Sequence, residues 1–465
     1  MRKLFFRTAL TAEGWQDSVA ISVDRNGDIS DLEYGVSPPS AWDGDIALPG
    51  LPNLHSHGFQ RGMAGLAEYA MPGQNSFWSW RETMYRFVQS VEPEQLSAIT
   101  ALAYAEMLES GFTSVAEFHY LHNQKDGTSY KDPGEMACGA IAAAESAGIG
   151  LTLLPVFYAH SDFGGAEPNP DQRRFVNSID NFQALVASCQ HAMRDSDGVV
   201  GIAPHSLRAV SIKDLEHVSS LAEGPVHIHI AEQAKEVERC LQWSGMRSID
   251  LLFNSAEINS RWCLVHATHA SNAEYAKIAR SGAVVGLCPV TEANLGDGLF
   301  DLRGFLGLGG RIGVGTDSNI LISATEELRW LEYGQRLKHQ ARNIISDEIR
   351  SSGANLFHHA RLGGAQACGR PIGSLEPEMR ADIIVLKSEA VSLAHRKGDS
   401  LLDTWIFACP GREVDSVWVG GVQVVCDGKH VRRAEIEKNS GLQWIACSQT
   451  RSLTCRYRPL SSPRF

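Results

Sequence analysis

The chain has 465 residues, of which 43% are hydrophobic and 21% are charged, and its formal net charge is −12. This composition is typical of a globular protein that is long enough for one large core and a smaller domain beside it. The acidic balance argues against a nucleic-acid partner, and no apolar run approaches the roughly 18 residues of a membrane span. We therefore expect a cytoplasmic protein that binds neither nucleic acid nor membrane.

The sequence at both ends of the chain predicts short strands joined by tight turns. Residues 14–34 alternate in polarity around an Asn-Gly pair, which is a strong hairpin signal. Residues 381–433 carry further short strands with Gly-Gly and Asp-Gly turns. Because chain termini are often close in space, we predict one small β-sandwich built from residues 1–48 and 371–465, the second stretch ending in a polar tail.

The middle of the chain, residues 49–370, repeats a different pattern. Short apolar runs end in polar or titratable residues and alternate with amphipathic stretches such as 93–111 and 272–282, each of which ends on glycine. The eight runs are IALPGLPNLHSH, TSVAEFHY, LTLLPVFYAH, VVGIAPHS, VHIHIAE, CLVHATH, AVVGLCPVTE and RIGVGTDS. Eight strand-plus-helix units predict an α/β fold with a (β/α)8 TIM barrel, and a doubly wound open sheet is the alternative.

Histidines and an aspartate stand at the ends of several of these runs. His55 and His57 alternate after the first run, so both rings can reach one point. His229 ends the fifth run and Asp317 ends the eighth. Taken singly, each has an ordinary reading as a core histidine or a helix cap. Together they predict a site for one divalent metal, with Zn²⁺ favoured over Fe²⁺, Mn²⁺ or Ni²⁺.

These residues resemble the amidohydrolase superfamily of metal-dependent hydrolases and deaminases. The likeness also includes Glu232, three residues after His229, and His266 at the end of the sixth run. Members with two metals use a lysine at the end of the fourth strand, whereas this chain has His205 there, which favours a single metal. The resemblance implies that Asp317 accepts a proton from the attacking water, that Glu232 acts as general acid, and that His266 stabilises the tetrahedral intermediate.

Polar side chains beside the strand ends indicate the substrate. Arginine forks bind carboxylates in a bidentate manner, and Arg81 and Arg208 are predicted at loop positions next to the site. Together with Gln60, Tyr120 and His205 they suit a small-molecule dicarboxylate. The ordinary reading of each arginine is a structural salt bridge.

The stretches LPGLPNLHSHGFQRGMAGL, FWSWRETMYRF and APHSLRAV resemble the family of N-formimino-L-glutamate iminohydrolases. That likeness implies hydrolysis of N-formimino-L-glutamate to N-formyl-L-glutamate and ammonia in histidine degradation, by a homodimeric enzyme. Two alternatives stay open from the sequence. One is a superfamily deaminase of another substrate, such as an aminopurine, S-adenosylhomocysteine or a triazine, and the other is a non-catalytic barrel that serves as a binding module.

Overall fold

The structure is a computed structural model that describes residues 2–68 and 77–449. Its strands, numbered along the chain, are β1 (Arg2–Thr11), β2 (Gly14–Val23), β3 (Ile29–Glu33), β4 (Gly44–Pro49), β5 (Leu51–Ser56), β6 (Phe112–His119), β7 (Gly150–Phe157), β8 (Val199–Val200), β9 (Ala203–Pro204), β10 (Val226–Ile230), β11 (Trp262–His266), β12 (Val284–Leu287), β13 (Arg311–Val314), β14 (Ile383–Leu386), β15 (Val414–Val419), β16 (Val422–Cys426) and β17 (Lys429–His430).

The helices are α1 (Phe77–Val88), α2 (Pro93–Ser110), α3 (Glu135–Ala147), α4 (Ile179–Ala192), α5 (Ile212–Ser219), α6 (Ala234–Ser244), α7 (Ser248–Ser255), α8 (Asn272–Ser281), α9 (Pro289–Leu295), α10 (Leu302–Gly307), α11 (Ala324–His339), α12 (Ser352–Cys368), α13 (Asp399–Phe407) and α14 (Arg433–Gln449). Two of them confirm predicted helix ends. Gly111 caps α2 and Gly282 caps α8, both with left-handed backbone that glycine adopts without a steric penalty.

Strands from both ends of the chain share one sheet, which we call the terminal sheet. Its order is β17-β16-β15-β14-β4-β1-β2-β3. The β1 and β4 strands pair in parallel, and the other neighbours are antiparallel. The predicted hairpin around the Asn-Gly pair is confirmed by β2 and β3. Residues 450–465 of the predicted C-terminal segment lie outside the described residues, and the two-layer sandwich stays a prediction.

The first apolar run divides between the two parts of the fold. The sequence predicts one strand there, but β4 ends at Pro49 in the terminal sheet and β5 begins at Leu51 among the parallel strands. Gly50 lies between them and its backbone N–H donates to the Asp382 carbonyl. The side chain of Thr113 fills the space where a Cβ of residue 50 would stand. A glycine therefore allows the chain to pass from one sheet to the other within a single residue.

The remaining strands form two parallel groups. One has the order β5-β6-β7-β8 with β9 beside β7, and the other has the order β10-β11-β12-β13. Single parallel bridges join the groups at Ser56–Asp317 and at Ile202–Val226. Most residues of these strands are buried, as expected for parallel strands covered by helices. The predicted α/β class with parallel strands is confirmed.

The fourth predicted strand is shorter than its neighbours. The run VVGIAPHS forms two pieces, β8 and β9, separated by Gly201 and Ile202. The Pro225 carbonyl lies where a Cβ of Gly201 would stand, and the backbone N–H of Ile202 donates to that same carbonyl. The close approach to the next strand breaks the regular ladder here. In the described part of the chain, no helix has the length and apolar character needed to cross a membrane.

Candidate metal centre and active site

The first and last parallel strands are joined at their carboxyl ends by backbone hydrogen bonds. The N–H of Asp317 donates to the His55 carbonyl and the N–H of His57 donates to the Asp317 carbonyl, both at 2.9 Å. The buried side chain of Asn319 then donates to the His57 carbonyl at 3.0 Å. Asp317 has φ 46°, a left-handed conformation that non-glycine residues rarely adopt and that this network holds in place. The carboxylate of Asp317, which follows β13, is thereby fixed beside the imidazoles of His55 and His57 at the end of β5.

Gly315 permits the close contact between these strands. A Cβ on this residue would lie 2.7 Å from the carbonyl oxygen of His55 and 2.8 Å from its Cβ. Contacts this short force the backbone of one strand to move, and overpacking of this kind costs about 1–3 kcal/mol. Gly315 therefore allows the chain after β13 to lie directly against His55 of β5.

We expect Gly315→Ala to lower the free energy of unfolding by about 1–3 kcal/mol and to reduce the bound metal. Denaturant unfolding and elemental analysis of the purified protein measure the two effects. Gly307→Ala is the matched control, because nothing lies within 4 Å of a Cβ at that position. Equal stability and equal metal content in the two variants would contradict this role of Gly315.

Four buried side chains meet in front of this junction. His55, His57, His229 and Asp317 each offer a ligand atom, and these atoms all lie within 4.8 Å of one another. The Nε2 atoms of His55 and His229 are 3.0 Å apart. The Oδ1 atom of Asp317 lies 3.2 Å from Nε2 of His57 and 3.5 Å from Nε2 of His55. We call these residues the four-ligand cluster; they are the residues predicted from the sequence.

Backbone carbonyls orient two imidazoles of the cluster, those of His57 and His229. Nδ1 of His57 donates to the Phe118 carbonyl at 2.9 Å, and Nδ1 of His229 donates to the His205 carbonyl at 3.1 Å. With the Nδ1–H groups used in this way, the Nε2 lone pairs point into the cluster, which is the arrangement found for metal-ligating histidines.

The charge states also fit a metal. Burial lowers the pKa of His55 to about 3 and holds the pKa of His229 well below its usual value. At neutral pH both imidazoles are therefore uncharged. Burial would raise the pKa of Asp317, but the adjacent His55 and His57 side chains keep it well below its usual range. Neutral imidazoles and a carboxylate are the forms that bind divalent ions.

His266 lies beside the cluster in a different electrostatic setting. Its Nε2 is 3.8 Å from Oε1 of Glu232 and 3.8 Å from Oδ2 of Asp317, while its Nδ1 is 3.2 Å from Oε1 of Glu292. Burial alone would lower the pKa of His266, but the surrounding carboxylates, Glu232 foremost, raise it to about 10. His266 is therefore an imidazolium at neutral pH.

A second group of potential ligands combines His266, Cys288 and Asp317. Burial raises the pKa of the Cys288 thiol well above its usual value, and His266 is protonated. Neither residue is thus in the form that ligates a metal. This leaves the four-ligand cluster as the better site.

Glu232 is a buried carboxyl whose pKa is raised. It is 5% exposed, and burial raises its pKa to about 7. It follows β10 by two residues, after Ala231, which has φ 50° and so turns the chain sharply at the strand end. A carboxyl that titrates near neutrality and faces an imidazolium can hold or release a proton in the cavity.

Glu292 is not among the residues predicted from the sequence. It lies in α9 and accepts a hydrogen bond from the backbone N–H of Cys288 at 2.9 Å. Its Oε1 also accepts a hydrogen bond from Nδ1 of His266 at 3.2 Å. It therefore fixes which ring nitrogen of His266 faces the cavity. The available signal is its place at the end of the AVVGLCPVTE run, the seventh in the repeating pattern.

A cavity of about 580 Å³, including its open mouth, lies in front of the cluster. It brings together all the predicted site residues except His55, which lies beneath it as a fully buried residue. Its lining consists of His57, Gln60, Phe77, Trp80, Arg81, Met84, Tyr85, Tyr120, Tyr158, Phe175, His205, Arg208, His229, Glu232, His266, Leu295 and Asp317.

Two guanidinium groups in this cavity form no close ion pair in the described part of the chain. Among the described residues, neither Arg81 nor Arg208 forms an ion pair within 4.0 Å, and the buried Nε of Arg208 has no hydrogen-bond partner. A buried charge without a partner is costly. By contrast Arg61, which is close by in the sequence, pairs with Glu106 at 2.8 Å. Arg81 and Arg208 are therefore suited to receive an anionic ligand.

Neutral polar side chains lie in the same cavity as the two arginines. Nε2 of Gln60 donates to the Tyr120 hydroxyl at 2.6 Å. Burial, followed by the charge of Arg208, holds the pKa of His205 well below its usual value, so this imidazole is neutral. The cavity thus brings guanidinium groups and neutral hydrogen-bonding side chains together with residues of the four-ligand cluster.

Comparison with known proteins agrees with this geometry. The amidohydrolase family model matches residues 46–424. Over 436 residues the chain is 48% identical to the formimidoylglutamate deiminase of Pseudomonas aeruginosa, a match that covers 92% of this chain and 96% of that protein. It is 28% identical to the 8-oxoguanine deaminase of the same species, over 82% of this chain and 83% of that protein.

A solved amidohydrolase structure from Brucella melitensis is also similar. It is 48% identical and superimposes with a TM-score of 0.93, covering 96% of this chain and all of that one. The resemblance inferred from the strand-end histidines is confirmed: the chain belongs to the amidohydrolase family.

Proposed function

We propose that this enzyme hydrolyses N-formimino-L-glutamate to N-formyl-L-glutamate and ammonia, in the degradation of histidine. The observation that carries the proposal is a pair of guanidinium groups, Arg81 and Arg208, that form no ion pair within 4.0 Å among the described residues and line the same cavity as the four-ligand cluster. A substrate with two carboxylates and a C–N bond to be cleaved matches both the arginines and the four-ligand cluster. The 48% identity to the Pseudomonas aeruginosa formimidoylglutamate deiminase supports the same substrate.

We propose one Zn²⁺ ion per chain, held by His55, His57, His229 and Asp317. Three imidazoles and one carboxylate form a nitrogen- and oxygen-rich donor set that suits zinc. A bound divalent ion supplies the Lewis acidity that activates water for attack on the carbon of a C–N bond.

We infer that three side chains of the cavity handle the protons. Asp317, which remains a carboxylate, accepts the proton of the attacking water. Glu232, whose pKa is near 7, donates a proton to the departing nitrogen. The imidazolium of His266 offers positive charge to the tetrahedral intermediate, and Glu292 keeps its Nε2 turned to the cavity.

We infer that Gln60, Arg81, Tyr120, His205 and Arg208 hold the glutamate portion. The guanidinium groups bind the carboxylates and the neutral groups donate or accept the remaining hydrogen bonds. The anchored carboxylates place the formimino carbon beside the four-ligand cluster.

We expect Arg208→Ala to lower kcat/KM for formiminoglutamate by about 10²-fold while metal content is unchanged, because one charge-assisted pair contributes about 1.5–3 kcal/mol. Steady-state kinetics and elemental analysis test this. Arg342→Ala, a loss of the same charge at an exposed position, should leave both values as in the wild type. An unaltered kcat/KM in Arg208→Ala would remove Arg208 from the substrate site.

An ammonia-release assay tests the substrate. We expect rapid release from formiminoglutamate, slower release from formiminoaspartate because its shorter chain cannot reach both arginines, and none from aminopurines. Ammonia release from an aminopurine, S-adenosylhomocysteine or a triazine, with none from formiminoglutamate, would instead establish a deaminase of another substrate. Purified protein with no bound metal and no turnover would favour the non-catalytic binding module.

We infer that the parallel strands close into a (β/α)8 barrel over residues 49–370. The bridges at Ser56–Asp317 and Ile202–Val226 support closure, because they join the two parallel groups at both ends. We further propose that residues 1–48 and 371–465 form a separate small β domain of sandwich type. A second apolar cluster, distinct from the main core and including Phe6, Ile21 and Ile383, supports this division.

We also propose that the enzyme works in the cytoplasm as a homodimer. The eight cysteines whose side chains the structure describes are free thiols, as expected in a reducing compartment. One side of α11 exposes Trp330, Tyr333 and Leu337, with 42%, 36% and 74% of their surface accessible, a pattern typical of a contact surface. The molar mass from light scattering tests the dimer.

A further inference from the structure

Four cationic side chains surround one tryptophan beside the active-site cavity. The guanidinium carbon of Arg81 lies 4.4 Å from the ring centre of Trp78, and the ammonium of Lys235 lies 5.6 Å from it. The guanidinium carbons of Arg208 and Arg239 lie at 5.9 and 6.0 Å. Cation–π attraction partly offsets the mutual repulsion of these charges.

These side chains line a second cavity, which we call the outer cavity. It shares Arg81 and Arg208 with the active-site cavity and adds Trp78, Lys235 and Arg239. Arg81 and Arg208 therefore line both the active-site cavity and the outer cavity. Lys235 and Arg239 stand one turn apart on α6, the helix that follows the strand carrying His229.

Cations outnumber carboxylates among the described residues that line the outer cavity. Its lining has one carboxylate, Asp162, which pairs with Arg239. Lys235 is exposed and forms no ion pair among the described residues. Glu236, whose charge also acts on Arg208, accepts hydrogen bonds from the backbone N–H groups of Ala231 and Glu232.

A chain with a net charge of −12 thus concentrates positive charge at one place. Clefts lined by one sign of charge raise the local concentration of oppositely charged ligands and the rate at which they bind. This positive charge lies next to the arginines of the active-site cavity. We therefore relate it to binding of the substrate.

We propose that Lys235 and Arg239, placed over Trp78, form an outer carboxylate-binding position that receives the anionic substrate before it reaches Arg81 and Arg208. The inference rests on the proposed function for the identity of the substrate. Formiminoglutamate carries two carboxylates and one protonated amidine, whereas the product keeps both carboxylates and no cation. The outer position therefore attracts both and binds the product more strongly.

The double variant Lys235→Gln/Arg239→Gln in the full-length zinc-loaded enzyme tests the proposal. We expect kcat/KM for formiminoglutamate at low ionic strength to fall about tenfold, with kcat unchanged within twofold. The dependence of kcat/KM on sodium chloride, from about 20 to about 300 mM, should become shallower than in the wild type. Inhibition by N-formylglutamate should weaken in parallel.

The matched control is Lys213→Gln/Arg194→Gln, which removes the same two charges at exposed positions outside both cavities. We expect this variant to follow the wild type at every salt concentration. If the Lys235/Arg239 variant has the kcat/KM and salt dependence of this control, the outer position does not exist.

Calorimetric binding of glutarate, a dicarboxylate without an amidine, separates this proposal from the proposed function. Binding that weakens about tenfold in the Lys235/Arg239 variant supports the outer position even if the wild type releases no ammonia from formiminoglutamate. In that case the proposed substrate is wrong and the outer position stands. Glutarate binding that is undetectable in the wild type, or equal in the two double variants, overturns the outer position whatever the substrate.

Discussion

Glu232→Gln is expected to bind metal and substrate as the wild type does and to release ammonia about 10³-fold more slowly, within the range of 10²–10⁴ known for general acid–base groups. The amide keeps the size of the side chain and its hydrogen-bonding capacity, but it cannot donate a proton to the departing nitrogen. Steady-state kinetics and elemental analysis of the purified variant measure the two properties.

Glu238→Gln is the matched control for this variant, because Glu238 lies on the exposed side of α6 and its replacement removes the same charge. We expect the control to keep full activity. Activity of Glu232→Gln within tenfold of this control would exclude Glu232 as the proton donor.

The pH dependence provides an independent check on the same carboxyl. Burial raises the pKa of Glu232 to about 7, so its acid form is present below that pH and is lost as the pH rises through it. A general acid must be protonated to act, and we therefore expect kcat of the wild type to decline above about pH 7. The residual rate of Glu232→Gln should not show this decline.

Asp317→Asn is expected to lower both metal content and turnover, with a loss of about 10³–10⁴-fold in kcat. An asparagine oxygen is a weaker ligand for zinc than a carboxylate, and it cannot accept the proton of the attacking water. Added zinc should therefore restore occupancy without restoring the rate. Elemental analysis and kinetics at increasing zinc concentration separate the two effects.

Asp195→Asn, at an exposed position on the loop after α4, is the control for Asp317→Asn. It should retain metal and rate without added zinc. Recovery of wild-type turnover by Asp317→Asn at saturating zinc would mean that Asp317 serves only as a ligand.

The parallel strands and their order were predictable because hydrophobic runs, turn residues and helix-ending glycines act locally. Gly111 and Gly282 end helices where the sequence indicates. The division of the first run at Gly50 and the break at Gly201 were not predictable, because both depend on residues distant in the sequence. Thr113 occupies the space beside Gly50, and Pro225 occupies the space beside Gly201.

The four-ligand cluster was predictable for a related reason. Residues at the carboxyl ends of parallel strands meet at one edge, so His55, His57, His229 and Asp317 share a location once the strands are recognised. Glu292 and Lys235 lie on helices, where the sequence does not indicate which side faces the cavity. Their contacts with His266 and Trp78 depend on how α9 and α6 pack.

The reciprocal hydrogen bonds between His55, His57 and Asp317 have a consequence for biosynthesis. The ribosome makes β5 early and β13 more than 250 residues later, so a nascent chain carries imidazoles long before it carries the aspartate. A truncation before residue 317 would leave His57 without the carbonyl that its amide contacts. Loading of the proposed ion must therefore follow translation of about two thirds of the polypeptide, and premature termination products should emerge without it.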